Sequence, residues 1–167
     1  MGKKYELIRS DTTTIGETTL YRIKALTDFG DVKEGDYGGY ISNESNLSHS
    51  GDCWVYDFGK VHDLARVSGN GKVKGNAQMH DFSQVYENGV IDGDCCLYDH
   101  CQVYGEGEVR GLARLYDNTQ VYDNGKVKGK SEIHGNIQIY QNAILEGAKL
   151  DHIIYPCYEA RIDDESM

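Results

Sequence analysis

The sequence predicts an all-β fold: a single-stranded parallel β-solenoid of triangular section, with 18 residues per coil and about five coils. Three observations carry that expectation. From Trp54 to Lys149 the chain divides into sixteen hexads without an insertion, WVYDFG KVHDLA RVSGNG KVKGNA QMHDFS QVYENG and onward. The second position is aliphatic throughout, from Val55, Val61 and Val67 through Met79, Ile91 and Val103 to Ile139 and Leu145. The fourth position is Gly or Asp except at Glu87 and Gln141, and the sixth is small except at Ile137 and Lys149. An apolar knob, a turn former and a small residue therefore recur at fixed offsets.

Taking every third hexad shows why the coil has three sides. One series carries Arg66, Gln84, Gln102, Gln120 and Gln138 at its first position and Ser68, Tyr86, Tyr104, Tyr122 and Tyr140 at its third. The neighbouring series carries His62, His80, Tyr98, Tyr116 and His134, followed by Asp63, Asp81, Asp99, Asp117 and Gly135. The last carries Tyr56, Lys74, Asp92, Arg110, Lys128 and Glu146. The series differ from one another and agree within themselves, as expected if like residues stack along each flat face at about 4.8 Å per rung. Stacked Asn and Gln side chains are expected to bond amide to amide along the axis.

The solenoid is expected to span 54–149, with an N-terminal β cap and entry segment over 1–53 and a C-terminal cap with an acidic tail over 150–167. KYELI (4–8) and TLYRIKAL (19–26) read as strands of a hairpin, and GDVKEGDYGGYI leads to an imperfect first hexad, NLSHSG. Asp52 and Cys53 form a two-residue slip before the regular frames begin. After the frames, DHIIYPCY breaks the pattern as a cap or subunit contact, and Asp163, Asp164 and Glu165 are expected to be disordered. These flanks suit a solenoid, whose end strands must be covered to prevent edge pairing.

Composition narrows the function. The 167 residues hold 17 Lys plus Arg against 27 Asp plus Glu, a net charge of -10, which disfavours direct nucleic-acid or anionic-membrane binding. No apolar run approaches a membrane span and MGKKYELI lacks a signal peptide's apolar stretch, so a cytoplasmic protein is expected. Five cysteines make a closed disulfide framework a poor fit. The outward positions lack the Thr ladders that ice binding would want.

The hexads resemble the hexapeptide-repeat, left-handed β-helix family, whose loose signature is an aliphatic residue followed four later by a small one. The resemblance covers Trp54 to Lys149 and departs from the family pattern just after the aliphatic position, where this chain puts Tyr, His or Lys. Within the family, the LYRIKAL and GDVKEGDYGGYI leader ahead of VYGNA-like repeats is similar to small prophage and bacterial proteins, many of them labelled transferases. The resemblance implies a left-handed coil. An acyltransferase of this family would also have a long loop thrown out of the coil, a catalytic His, and a trimer whose subunit grooves hold an acyl carrier. Frames 54–149 contain no such loop, and His100, His134 and His152 are the candidate bases.

Among candidate surfaces, the Tyr86, Tyr104, Tyr122, Tyr140 ladder with Gln84, Gln102, Gln120 and Gln138 forms a flat amphipathic strip suited to an oligomer or partner contact. The Asp63, Asp81, Asp99, Asp117 column stacks like charges, which backbone donors, water or a cation must satisfy. His62 and His80 precede two of these acids, but neighbours along a strand point to opposite sides, so no metal centre is expected. Cys95 and Cys101 occupy small inward positions and Cys96 faces out, the pattern of inert thiols. No catalytic residue, cofactor or metal is assigned. The favoured expectation is a non-catalytic, homo-oligomeric solenoid that binds a protein partner. The prophage likeness implies a phage-borne, anti-CRISPR-like inhibitor of a host nucleic-acid-handling protein such as a defence nuclease. The alternatives are a trimeric hexapeptide acyltransferase and a structural spacer.

Overall fold

A computed structural model describes residues 2–151 together with the backbone of Cys157–Tyr158 and Arg161–Asp163. Three sheets, parallel through the repeats, wrap one core, and among the described residues there is no α-helix. The first face contains Lys60–Val61, Gln78–Met79, Cys96–Leu97, Arg114–Leu115, Glu132–Ile133 and Lys149–Leu150. The second runs from Arg66–Val67 to Gln138–Tyr140, and the third from Trp54–Val55 to Ile144–Glu146. Successive rungs pair at the expected spacing, as in Gln84 opposite Gln102 and Gln102 opposite Gln120. This is a parallel β-helix built from hexapeptide repeats.

Each repeat position has one physical task. All sixteen second-position aliphatics, Val55 through Leu145, are fully buried in the continuous core. Burial of each such side chain is worth about 1.5 to 3 kcal/mol and offsets the entropy of ordering its hexad. Every fourth-position residue has a positive φ, including Asp63, Asp81, Asp99, Asp117, Glu87 and Gln141. The corners are thus left-handed kinks, which Gly adopts freely and Asp or Asn tolerates better than other side chains. The sixth position lies against the rung above, where a Cβ on Gly107 would stand 2.5 Å from the Val121 carbonyl oxygen.

The expected five coils become about six, because pairing starts before Trp54 and continues after Leu150. Strands β1 (Tyr5–Ile15) and β2 (Thr18–Ala25) form the antiparallel hairpin, and β2 pairs antiparallel with β3 (Tyr37–Ile41). β3 then pairs in parallel with Lys60–Val61, so the leader itself opens the first face. Ile41 lies opposite Val61 and Leu47 opposite Val67, two residues more than the regular spacing that Trp54 resumes opposite Lys72. The extra pair of residues therefore falls where the slip at Asp52 and Cys53 was expected.

The hairpin and its loop plug the coil. Trp54 is buried beneath Phe29 and Tyr5, at centroid distances of 5.2 and 6.1 Å. The Tyr5 hydroxyl donates to the Leu47 carbonyl at 2.7 Å. The Lys4 ammonium is buried with it and donates to the carbonyls of Cys53 at 2.8 Å and Gly51 at 3.1 Å, and burial lowers its pKa.

At the other end the last hexad is one residue short. Leu150 pairs with Ile133 and Lys149 with Glu132, and Ala148 fills the small inward position. Lys149 is thus the first residue of a rung, which explains its failure to match the sixth-position pattern. The tail departs from the expected disorder: Arg161–Asp163 pairs with Ile144–Glu146, and Cys157–Tyr158 pairs with Ile139 and Tyr140. Parallel pairing satisfies backbone groups that the last regular rungs would otherwise expose. Residues 152–156, Asp164 and Glu165 lie outside the described residues. No helix among the described residues is long and apolar enough to cross a membrane.

Candidate functional surfaces

On the second face Tyr86, Tyr104, Tyr122 and Tyr140 stack with centroids 4.9, 5.0 and 5.1 Å apart and planes within 4°. The rings are half-buried, and burial with the adjacent phenols pushes the Tyr104 hydroxyl up to about 12. The Gln column does not bond to itself. Tyr86 donates to Gln102 Oε1 at 3.3 Å, Tyr104 to Gln120 Oε1 at 3.4 Å and Tyr122 to Gln138 Oε1 at 3.4 Å. Gln84 stands exposed at the start of the strip. The amide ladders run instead along the corners, with Asn70 donating to Asn88 at 3.1 Å and Asn118 to Asn136 at 2.8 Å. Strip and ladders make a flat, largely uncharged surface, with Arg66 at the head of the Gln column and Glu106 accepting from Asn88 at 2.7 Å.

The acidic column is satisfied rung by rung. Asp63 Oδ2 accepts the Asp81 amide at 3.1 Å, Asp81 that of Asp99 at 3.0 Å, Asp99 that of Asp117 at 3.0 Å, and Asp117 that of Gly135 at 2.7 Å. Each left-handed corner aims its amide along the axis and its carboxylate at the next amide. Backbone donors thus answer the like-charge problem posed by the sequence. Although burial opposes ionisation, the Asp81 amide and His62 hold Asp63 below the usual carboxylate range.

The first face carries an aromatic column. His62 meets His80 edge-on at 4.4 Å, and His80, Tyr98, Tyr116 and His134 continue with centroids 4.6, 4.8 and 4.2 Å apart. The strand alternation expected to separate each His from the following Asp lapses at one rung. The left-handed turn at Asp63 brings its Oδ2 to 3.0 Å from His62 Nδ1. Apart from this approach to Asp63, neither His62 nitrogen has a hydrogen-bond partner, and His80 Nε2 is also buried without one. Among the described residues, His62, Asp63 and His80 form a group with one ligating atom each within 4.8 Å of one another. Burial, then the neighbouring His62, lowers the His80 pKa. The sequence signal was the pair of HD steps in successive turns.

The same face ends in a shallow groove of about 320 Å³, lined by residues including Arg114, Lys130, Glu132 and Lys149. His134 stands beside it, with Nε2 3.1 Å from Glu132 Oε1 and Nδ1 4.0 Å from Asp117 Oδ2. The short final hexad creates this juxtaposition by drawing Lys149 back opposite Glu132. His100 is elsewhere, stacked at a corner on Phe82 at 4.8 Å, and His152 lies outside the described residues. The cysteines do not converge: burial pushes the Cys95 and Cys101 thiols up to about 12, and Cys96 points out on the first face. On the third face Lys72 lies 3.8 Å from Asp31 and Lys126 3.8 Å from Glu108, so both KVKG segments sit among carboxylates.

No protein-family model matches the chain. The chain is similar to an uncharacterized acetyltransferase, YdcK, of Escherichia coli (strain K12), with 39% identity over 59 residues. That stretch is 35% of this chain and spans only 18% of the length of YdcK.

Proposed function

We propose that this β-helix is an acyltransferase that moves an acyl group from a thioester carrier to a hydroxyl or amine acceptor, working as an oligomer of identical copies. The carrying observation is the His134–Glu132 pair at the edge of a groove bearing Arg114, Lys130 and Lys149. The similarity to a protein named as an acetyltransferase supports the reaction class. With Nε2–H donating to Glu132, Nδ1 keeps its lone pair and takes the acceptor's proton as the acceptor attacks the thioester carbonyl. Collapse of the tetrahedral adduct breaks the carbon–sulfur bond, and the departing thiolate receives that proton. Glu132 stabilises the transient imidazolium, and the three cationic side chains hold the carrier's anionic groups. The Tyr and Gln strip of the second face is the contact between copies.

Release of free thiol from an acetyl thioester, with and without amine or hydroxyl acceptors, tests this reading. His134→Ala is expected to lower turnover by about 10²-fold or more while the chain still folds cooperatively, at a melting temperature lowered only by the lost stack on Tyr116. Absence of turnover above the spontaneous rate, with no thioester-induced melting shift, would reject it. A second reading, a non-catalytic solenoid that binds and inhibits a nucleic-acid-handling protein, is favoured by the flat tyrosine strip and the net charge of -10. It predicts salt-sensitive capture of such a partner and no thioester chemistry.

A further inference from the structure

We propose that His62, Asp63 and His80 form a site for one divalent transition-metal ion of the zinc class, with water completing the coordination. The donor set is two imidazoles and one carboxylate, which suits such an ion and leaves an open position. The second, independent sign is the state of the imidazoles. The His62 side chain is only 5% exposed, yet its Nε2 has no hydrogen-bond partner and its Nδ1 meets only Asp63, and His80 Nε2 is likewise buried without a partner. Buried polar atoms are rarely left in this state without an unplaced partner.

The geometry needs little adjustment. His62 Nδ1 and Asp63 Oδ2 are 3.0 Å apart, close to the separation of two ligands that each stand about 2.1 Å from one tetrahedral ion. The full set lies within 4.8 Å. A shared ion allows no more than about 4.2 Å between any two such ligands, so binding requires the set to contract slightly.

The surroundings orient the donors. Asp63 Oδ2 accepts the Asp81 amide at 3.1 Å, and Asn46 Nδ2 donates to the Asp63 carbonyl at 3.2 Å and the Ala65 carbonyl at 2.8 Å. These bonds fix the corner from outside the donor set, as outer partners do in metal sites. Further along, Tyr98 and Tyr116 replace the histidines, so the ligands are confined to two adjacent rungs. His134 stands three rungs beyond His80, about 14 Å away by strand spacing, so this site is separate from the groove.

The test is a titration of the chelator-stripped full chain with zinc chloride, and with cobalt chloride as a spectroscopic reporter. The variants are His80→Tyr and Asp63→Asn. Tyr is the residue that the column already stacks in the next rungs, and Asn keeps an acceptor for the Asp81 amide. The expected result is one equivalent of zinc bound, a cobalt spectrum of nitrogen and oxygen ligation without thiolate charge transfer, and a metal-induced rise in melting temperature. Each variant should weaken affinity by at least about tenfold while melting like the parent without metal. Failure to bind one equivalent, binding equally tight in His80→Tyr, or a cobalt–thiolate band that assigns the ion to cysteine would each overturn the site.

Discussion

Replacing Asp99 by Ala, Gly and Asn separates the two tasks of a corner residue. Its φ of 53° demands a left-handed backbone, and its Oδ2 accepts the Asp117 amide at 3.0 Å. Ala fails at both: the left-handed conformation costs about 1 kcal/mol, and the lost bond about 1 kcal/mol at this solvent-accessible corner. The expected destabilisation is thus about 2 kcal/mol, or roughly 4 to 8 °C for a domain of this size. Gly relieves the backbone and loses only the bond, about 1 kcal/mol. Asn keeps an acceptor and tolerates the conformation, so its cost should stay under about 0.5 kcal/mol, less whatever repulsion it removes from Asp81 and Asp117. Thermal unfolding followed by far-UV circular dichroism ranks the three. If Asn proves as costly as Ala, the charge itself holds the corner, and amide-to-carboxylate bonding is not what stabilises the acidic column.

Two further outcomes follow from the columns. The lowered His80 pKa means that the unfolded chain takes up a proton below about 6.5 while the native chain resists it. Stability, measured by metal-free melts from pH 8 to pH 5, should therefore be complete above that value and fall as pH drops through it. His80→Tyr should flatten the slope, and an unaltered slope would exclude His80 as its source. Tyr104→Ser with Tyr122→Ser removes all three ring stacks of the second face. The double variant should lose about 0.5 to 1.5 kcal/mol per stack and show a smaller mass by light scattering; an unchanged mass would exclude the strip as the contact between copies.

The coil was legible because each hexad position repeats a single demand many times. Val55 to Leu145 announce the buried row, and the Gly and Asp residues of the fourth position announce kinks that all turn out left-handed. Legibility ended where a demand occurs once. Ile41 belongs to the core but sits two residues out of phase, hidden in a glycine-rich leader. The missing residue before Lys149 looked like a failed sixth position because a five-residue hexad has no period of its own. The Tyr-to-Gln bonds link residues 16 apart, a diagonal that neither the six- nor the eighteen-residue period displays. The meeting of His62 and Asp63 was missed because alternation holds within a strand and lapses at a left-handed corner.

Chemistry is best sought where a regular coil stops obeying its own rule, since ladders that satisfy themselves have nothing left to offer a ligand. By that criterion the second face offers no chemistry, and the corner acids beyond Asp63 are already bonded to amides. The first face breaks its pattern twice. Near its start, two histidines replace the tyrosines of the middle rungs and keep buried nitrogens without hydrogen-bond partners. Near its end, a shortened hexad brings Lys149 beside Glu132, with His134 next to them. Both departures substitute a titratable side chain for an inert stacker on the same sheet, and the intervening Tyr98 and Tyr116 hold them apart at a fixed distance. The stacked column thus connects the proposed metal site with the proposed catalytic pair, so a change that bends it at Tyr98 should disturb both if both proposals hold.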